Sequence, residues 1–332
     1  MARMLKFPAP LRPGDRIGVT SPPSAGVHGG EADRIDFCVT WLREAGFDVV
    51  VGNQMDGTGI TAGPAADRAA ELTAMLCDPA IRCVIPPPWG GETAIDLLDL
   101  LDWDALAAAE PTWLVGFSDL STILVPLTTR LGGWATVHGG DNLADTPYEV
   151  PEGGLLSWLD VAAGVGPHVQ HDSGVIADWW RFEEDVRATS WKPGGEGGHW
   201  TLHGAESLHL TGRLIGGCVE TMCNIAGTPY GDVAAFGREH ASDGLIVYVE
   251  AAGDEAATIC RNLHGLRLAG WFDHARAVLV GRTHAPDHPP NSPSAKPYLT
   301  LSDALASPPS SLTWRSGTSR RTCHWSTARW RP

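Results

Sequence analysis

At 332 residues the chain exceeds what one hydrophobic core usually serves, so two domains of ordinary size are expected. Its 24 Lys and Arg stand against 39 Asp and Glu. The resulting net charge of −15 excludes a broad nucleic-acid or anionic-membrane surface. Apolar residues at 43% and charged residues at 19% exclude a disordered chain.

The first half alternates short apolar strands with amphipathic helices. Asp15–Thr20 reads as a strand ending in a Ser21-Pro-Pro turn. Ile35, Cys38, Val39 and Leu42 recur near helical spacing, which predicts a helix over Glu31–Ala45 stopped by Gly46. Strands are predicted at Phe47–Val51, Ile81–Ile85 and Thr112–Gly116, with helices at Ala65–Leu76 and Thr93–Leu101. Such alternation argues for a parallel, doubly wound sheet, which binds ligands at the C-terminal ends of its strands. The pattern fails over residues 164–207, a Trp-, His- and Gly-rich stretch read as a connecting loop between domains 1–163 and 208–332. The second unit gives a strand at Gly212–Gly217, a helix to Ala226, a strand at Gly244–Glu250, a helix from about Asp254 to Gly265 and a strand at Ala277–Val280.

Seven scattered cysteines make no disulfide framework, and they point to a reducing compartment. Met1–Gly18 holds no leader-like apolar run, and no stretch reaches the length of a membrane span. A cytoplasmic protein with no membrane partner is expected. Neither G-x-G-x-x-G nor G-x-x-x-x-G-K-[ST] occurs, and the clustered histidines lack ligand spacing, so no cofactor and no metal are expected.

Three strand ends carry the chemistry. Val115–Leu120 (Val-Gly-Phe-Ser-Asp-Leu) sets Ser118 at a strand-to-helix turn, two residues after a glycine. A nucleophile elbow needs that tightness, because it exposes the hydroxyl and frees the next N–H for an oxyanion hole. The second glycine of G-x-S-x-G is replaced by Leu120, and a serine here also suits a helix N-cap. Pro88–Glu92 (Pro-Trp-Gly-Gly-Glu) offers backbone N–H groups to an anion, or is a plain turn. Glu250 ends an apolar strand, where a carboxylate orients a catalytic histidine or simply meets solvent.

Together these pieces resemble the LD-carboxypeptidase family of serine peptidases, which includes the microcin C7 immunity proteins. The matching stretches run in the family's order from Leu11–Pro22 through Pro88–Gly91, Gly116–Asp119, Val137–Gly139, Gly212–Gly217 and Gly227–Tyr230 to Val247–Glu250. The resemblance implies a Rossmann-like parallel-sheet N-terminal domain, a smaller α/β C-terminal domain, an active site between them and a homodimer. It implies Ser118 as nucleophile, Glu250 as the acid orienting a histidine base, and the N–H groups of Gly91 and Asp119 as oxyanion hole. The substrate would be a small peptide of murein type or a peptidyl or aminoacyl nucleotide; Trp180 and Trp191 are candidates to stack on the latter's base, or they pack the interface between the domains.

One element of the family is missing. Its histidine stands in a Gly-His pair near the C-terminus, and none follows Glu250 here; His264, His274, His284, His288 and His324 remain as candidates. From Ser307 onward the chain has five arginines and no acidic residue, unlike everything before it. Read one base earlier, GC-rich codons for this tail permit an apolar sequence with a Gly-His pair, its histidine codon straddling Gly317 and Thr318. A frameshift between about Ala306 and Thr313 is therefore expected. The alternative is a non-catalytic binding protein that has lost its base.

Overall fold

The computed structural model describes residues 5–22, 31–55, 59–87, 91–139, 142–146, 157–164, 174–178, 185–187, 192–203, 206–283, 310–315 and 325–326. Strands β1 (Arg16–Val19), β2 (Asp48–Val51), β3 (Ile81–Ile85), β4 (Trp113–Gly116) and β5 (Val137–His138) form one parallel sheet in the order β5-β4-β3-β1-β2. The chain moves outward from β1 to β2, then crosses back over β1 to build β3, β4 and β5. That reversal is a topological switch point, and the ends of β1, β3 and β4 meet beside it.

Helix α1 (Glu31–Glu44) forms because Ile35, Cys38, Val39 and Leu42 make one stripe. The stripe packs with Ile17, Val19, Val49 and Val115 on one face of the sheet. Gly46 closes the helix at φ +96°, a left-handed conformation that glycine adopts without steric cost. Helices α2 (Ala65–Cys77) and α4 (Ser121–Arg130) cover the other face. Each apolar side chain buried there contributes roughly 1.5–3 kcal/mol. Two of the buried tryptophans tie their ring N–H to backbone carbonyls: Trp113 donates to Ala9 O at 3.0 Å and Trp134 to Thr112 O at 2.8 Å.

The second sheet has the order β6-β7-β11-β10-β9-β8. Its strands β8 (Arg213–Cys218), β9 (Leu245–Ala251), β10 (Ala275–Thr283) and β11 (Ser310–Arg315) are parallel. Strands β7 (Lys192–His203) and β6 (Gly174–Asp178) extend it antiparallel. Helices α6 (Val219–Ile225), α7 (Val233–His240) and α8 (Ala256–Leu268) pack against it. The two domains share a core: Ile123, Leu124 and Leu127 of α4 lie in one cluster with Val219, Met222, Phe236, Val247 and Leu263.

Several sequence expectations need amendment. Over Thr93–Leu101 only Ala94–Leu97 is helical, as a 3₁₀ turn with Leu98 N–H donating to Ile95 O. Asp102 accepts from Ala105 N–H and starts a separate helix, α3 (Trp103–Ala108), so the longer helix cannot run through. Helix α5 (Trp158–Ala163) has a capping box between Ser157 and Asp160, and Asp232 caps α7. Part of the 164–207 stretch is strand (β6 and β7), where a glycine-rich run borrows regularity from β11. The tail likewise contributes β11 and β12 (Trp325–Ser326), the latter antiparallel to β5.

Gly216 shows how closely β8 and β9 approach. A Cβ built there would lie 1.7 Å from the carbonyl oxygen of Tyr248, a backbone atom that cannot swing aside. Gly216→Ala is expected to lower unfolding free energy by about 1–3 kcal/mol or more in urea titrations. An unchanged midpoint would contradict this packing.

Candidate active site

Strand β4 delivers the chain to Phe117 in extended conformation, and Ser118 then turns to φ +52°. A non-glycine residue in this region costs of order 1–3 kcal/mol and persists only where its surroundings enforce it. The enforcement is visible. Leu120 is fully buried and folds back over Gly116, where an added Cβ would be 2.1 Å from Leu120 Cδ2. Leucine at the position of the motif's second glycine is thus accommodated by the first. Ser118 does not cap a helix: an N-cap has β-region dihedrals, and α4 begins after Leu120 with no side-chain cap bond.

Asp119 is 3% exposed, and its carboxylate accepts from Ala94 N–H at 2.8 Å and from Thr93 N–H. It thereby holds the segment that follows Gly91 against the turn that holds Ser118. Burial pushes the Asp119 carboxyl up to about 7, helped by Glu92 and opposed by those amides and by Arg68. Arg68 is 1% exposed and donates to Gly63 O at 3.0 Å, to Thr93 Oγ1 at 3.1 Å and to Pro22 O. One guanidinium therefore ties the ends of β1 and β3 together beneath this turn.

The second domain supplies the opposite wall. Thr221 Oγ1 donates to Ser118 O at 3.3 Å, and Cys218 N–H donates to Ser121 Oγ at 3.2 Å. Glu250 sits at the end of β9, in register with Cys218 on β8. Its side chain is 15% exposed, and its Oε1 is buried with no hydrogen-bond partner among the described residues, 3.9 Å from Nε2 of the fully buried His138. The turn after Glu250 is fixed by Glu220, whose Oε1 accepts from the N–H groups of Ala252, Gly253 and Asp254 at 2.8, 3.1 and 3.3 Å. Burial, then the Glu220 charge, push the Glu250 carboxyl up to about 8, while a bond from the Cys218 thiol pulls it down. Burial also pushes His138 down to about 3, so its imidazole is neutral.

Ser118, Asp119, Gly91 and Glu250 all lie among the described residues: Asp119 bonds to Ala94, three residues after Gly91, and Glu250 lies opposite Cys218, whose N–H bonds to Ser121 of the helix that follows Ser118. Trp180, Trp191, His284, His288 and His324 lie outside the described residues. Sequence reasoning overlooked Arg68 and Glu220, and named His138 only as part of a family stretch. Arg68 carried a signal, since a charged residue four positions before Leu72 falls on the apolar stripe of α2.

The family profile described as LD-carboxypeptidase N-terminal domain matches residues 17–139, and that of the C-terminal domain matches residues 211–313. The chain belongs to the LD-carboxypeptidase family. A Streptomyces coelicolor protein named as a carboxypeptidase is 32% identical over 286 residues, covering 84% of this chain and 78% of its own. The microcin C7 self-immunity protein MccF of Escherichia coli is 25% identical over 314 residues, covering 90% and 83% respectively. The fold matches the structure of MccF in complex with glutamyl sulfamoyl guanosine at a TM-score of 0.67 and 22% identity, over 94% of this chain and 89% of that one. As an LD-carboxypeptidase relative the chain is a hydrolase of the serine carboxypeptidase type.

Glu250 makes stability depend on pH. Its carboxyl is raised in the folded state from about 4.5 to about 8, so folding favours the protonated form. The contribution is complete below pH ~4.5 and is lost as pH rises through about 8. Unfolding free energy should fall over that interval with a slope approaching about 1.4 kcal/mol per pH unit. Glu250→Gln should flatten the slope in denaturant titrations, and an identical slope in the variant would contradict the assignment.

Proposed function

We propose that this LD-carboxypeptidase relative cleaves an amide by Ser–His–Glu chemistry, with Ser118 as nucleophile and Glu250 as the orienting acid. The observation that carries this reading is the left-handed backbone of Ser118 at the end of β4, with Glu250 facing the same junction. A histidine base takes the Ser118 proton, and Oγ attacks the carbonyl carbon. The N–H groups of Gly91 and Asp119 receive the oxyanion. The same histidine protonates the leaving amine, and water then hydrolyses the acyl-enzyme. The clamp of Asp119 on Thr93 and Ala94 supports this, because it sets the two oxyanion segments in a fixed relation.

The base itself comes from the shifted reading frame. The match to the family's C-terminal domain stops at Thr313, inside the window where the frame is expected to break. Glu250 Oε1, buried with no hydrogen-bond partner among the described residues, is what a triad acid looks like when its histidine is missing. An imidazolium delivered there would favour the carboxylate form and bring Glu250 below about 8.

A fluorophosphonate probe tests the nucleophile. The chain with its tail returned to the inferred frame should label rapidly, and Ser118→Ala should abolish labelling. The chain as written should label slower by on the order of 10³-fold or more, as when a triad member is removed. Equal rates would mean that another histidine serves. No labelling of either chain would support the non-catalytic binder.

For substrate, an aminoacyl or peptidyl nucleotide is favoured by the glutamyl sulfamoyl guanosine in the MccF complex and by the tryptophans at 180 and 191. Replacing Trp180 and Trp191 by Ala should cost about 1–3 kcal/mol of binding to such a nucleotide while sparing a murein tetrapeptide. Equal losses on both substrates would reject stacking on the base.

A further inference from the structure

His138 has been given no role, yet it is the nitrogen base nearest to Glu250 among the described residues. Strand β5 fixes it: His138 is in register with Gly116 of β4, and Gly139 N–H donates to Gly116 O at 2.9 Å. The imidazole therefore sits two residues from Ser118 across a sheet ladder, while its Nε2 points at Glu250 Oε1 on the other domain. Both imidazole nitrogens and Glu250 Oε1 are buried with no hydrogen-bond partner among the described residues. Buried polar atoms normally find partners, and Nε2 and Oε1 face each other across the junction.

The surroundings leave few alternatives. Around Glu250 stand the Cys218 thiol from β8, the Glu220 carboxylate from α6 and Tyr248 from its own strand, whose ring lies 5.1 Å from that of His138. On the β10 side Gly281 supplies no side chain, and a Cβ there would lie only 2.8 Å from Glu250 Cβ. None of these groups is a cation.

We propose that His138 is a positioning residue for Glu250: its neutral imidazole, protonated at Nε2, donates to Glu250 Oε1 across the domain junction. This rests on the reading of Glu250 as the triad acid. A shift of about 1 Å brings the 3.9 Å separation into hydrogen-bond range. Each carboxylate oxygen accepts two bonds, so the catalytic base still finds a free lone pair. A neutral donor suits the task. It turns and anchors the carboxylate without a charge that would compete with the imidazolium formed during acyl transfer. It would also bind Glu250 of the second domain to the strand beside Ser118 in the first.

The test uses the full chain with ¹⁵N-labelled histidine and reads ring-nitrogen shifts by NMR, with His138 assigned from its loss in His138→Gln. The expected result is a neutral Nε2–H tautomer throughout pH 5–8, with ring shifts that move in Glu250→Gln. An Nδ1–H tautomer, an ordinary titration near pH ~6.5, or shifts indifferent to Glu250→Gln would overturn the proposal. This readout needs no turnover, so it stands apart from failure of the serine-hydrolase reading.

In the frame-restored chain, His138→Leu should lower kcat by about 10–100-fold at nearly constant KM and move the acid limb of the pH profile upward. His138→Gln, which retains an N–H donor, should recover most of the loss. Both effects should disappear in a Glu250→Gln background. Losses that simply add would count against the proposal.

Discussion

The structure depends on α4 being buried on both sides. Every residue from Ser121 to Thr128 is buried, and the helix belongs at once to the core of the first sheet and to that of the second domain. Close packing of this kind leaves no freedom to rotate one domain without opening voids on both sides of the helix. The Ser118 turn is the lead-in to α4, so its position is set by the same packing. Ser121 Oγ accepting from Cys218 N–H, and Thr221 donating to Ser118 O, add directional bonds to a contact that is otherwise apolar.

Around that helix the polar groups are arranged in pairs that cross between segments distant in sequence. Arg68 joins the ends of β1 and β3, Asp119 joins the Ser118 turn to Ala94, and Glu220 closes the turn after Glu250. Each is a charged group at least partly withdrawn from water whose partners are mainly backbone N–H or C=O. Such bonds specify geometry, because replacing either member leaves a backbone group buried without its mate. An outer pin made of side chains alone links the domains at the rim. Arg130 lies over the rings of both Trp103 and Tyr230, at 5.1 Å from each, while the Tyr230 hydroxyl donates to Asp99 at 2.5 Å.

Much of this was legible in the sequence, and the rest failed for identifiable reasons. The strand–helix alternation over the first 130 residues yielded β1 to β4, α1 and α2 because their apolar residues keep one period throughout. Ser118 was legible because a glycine two residues earlier marks a tight turn. Its left-handed backbone was not, since it comes from the buried Leu120 pressing on Gly116. The helices α3, α5 and α7 are each six to eight residues long and are set by a capping Asp or Ser more than by periodicity. His138 appeared only as part of a family stretch, for nothing local says that a two-residue strand will carry it to a glutamate 112 residues further on. Strands β6 and β7 were invisible because glycine-rich segments state no preference until a neighbour supplies the ladder.

That neighbour is the tail itself. Strand β7 reaches the body of its sheet by pairing with β11, and β6 reaches it by pairing with β7, so these two strands hang from Ser310–Arg315. A few residues later Trp325–Ser326 lies along the outer edge of β5, opposite Val137 and His138 in the other sheet. The described pieces of the C-terminal segment therefore act as a suture, β11 lying within one sheet and β12 on the rim of the other. A sequence error or a natural frameshift there would be felt first as a change in what the two domains can hold between them.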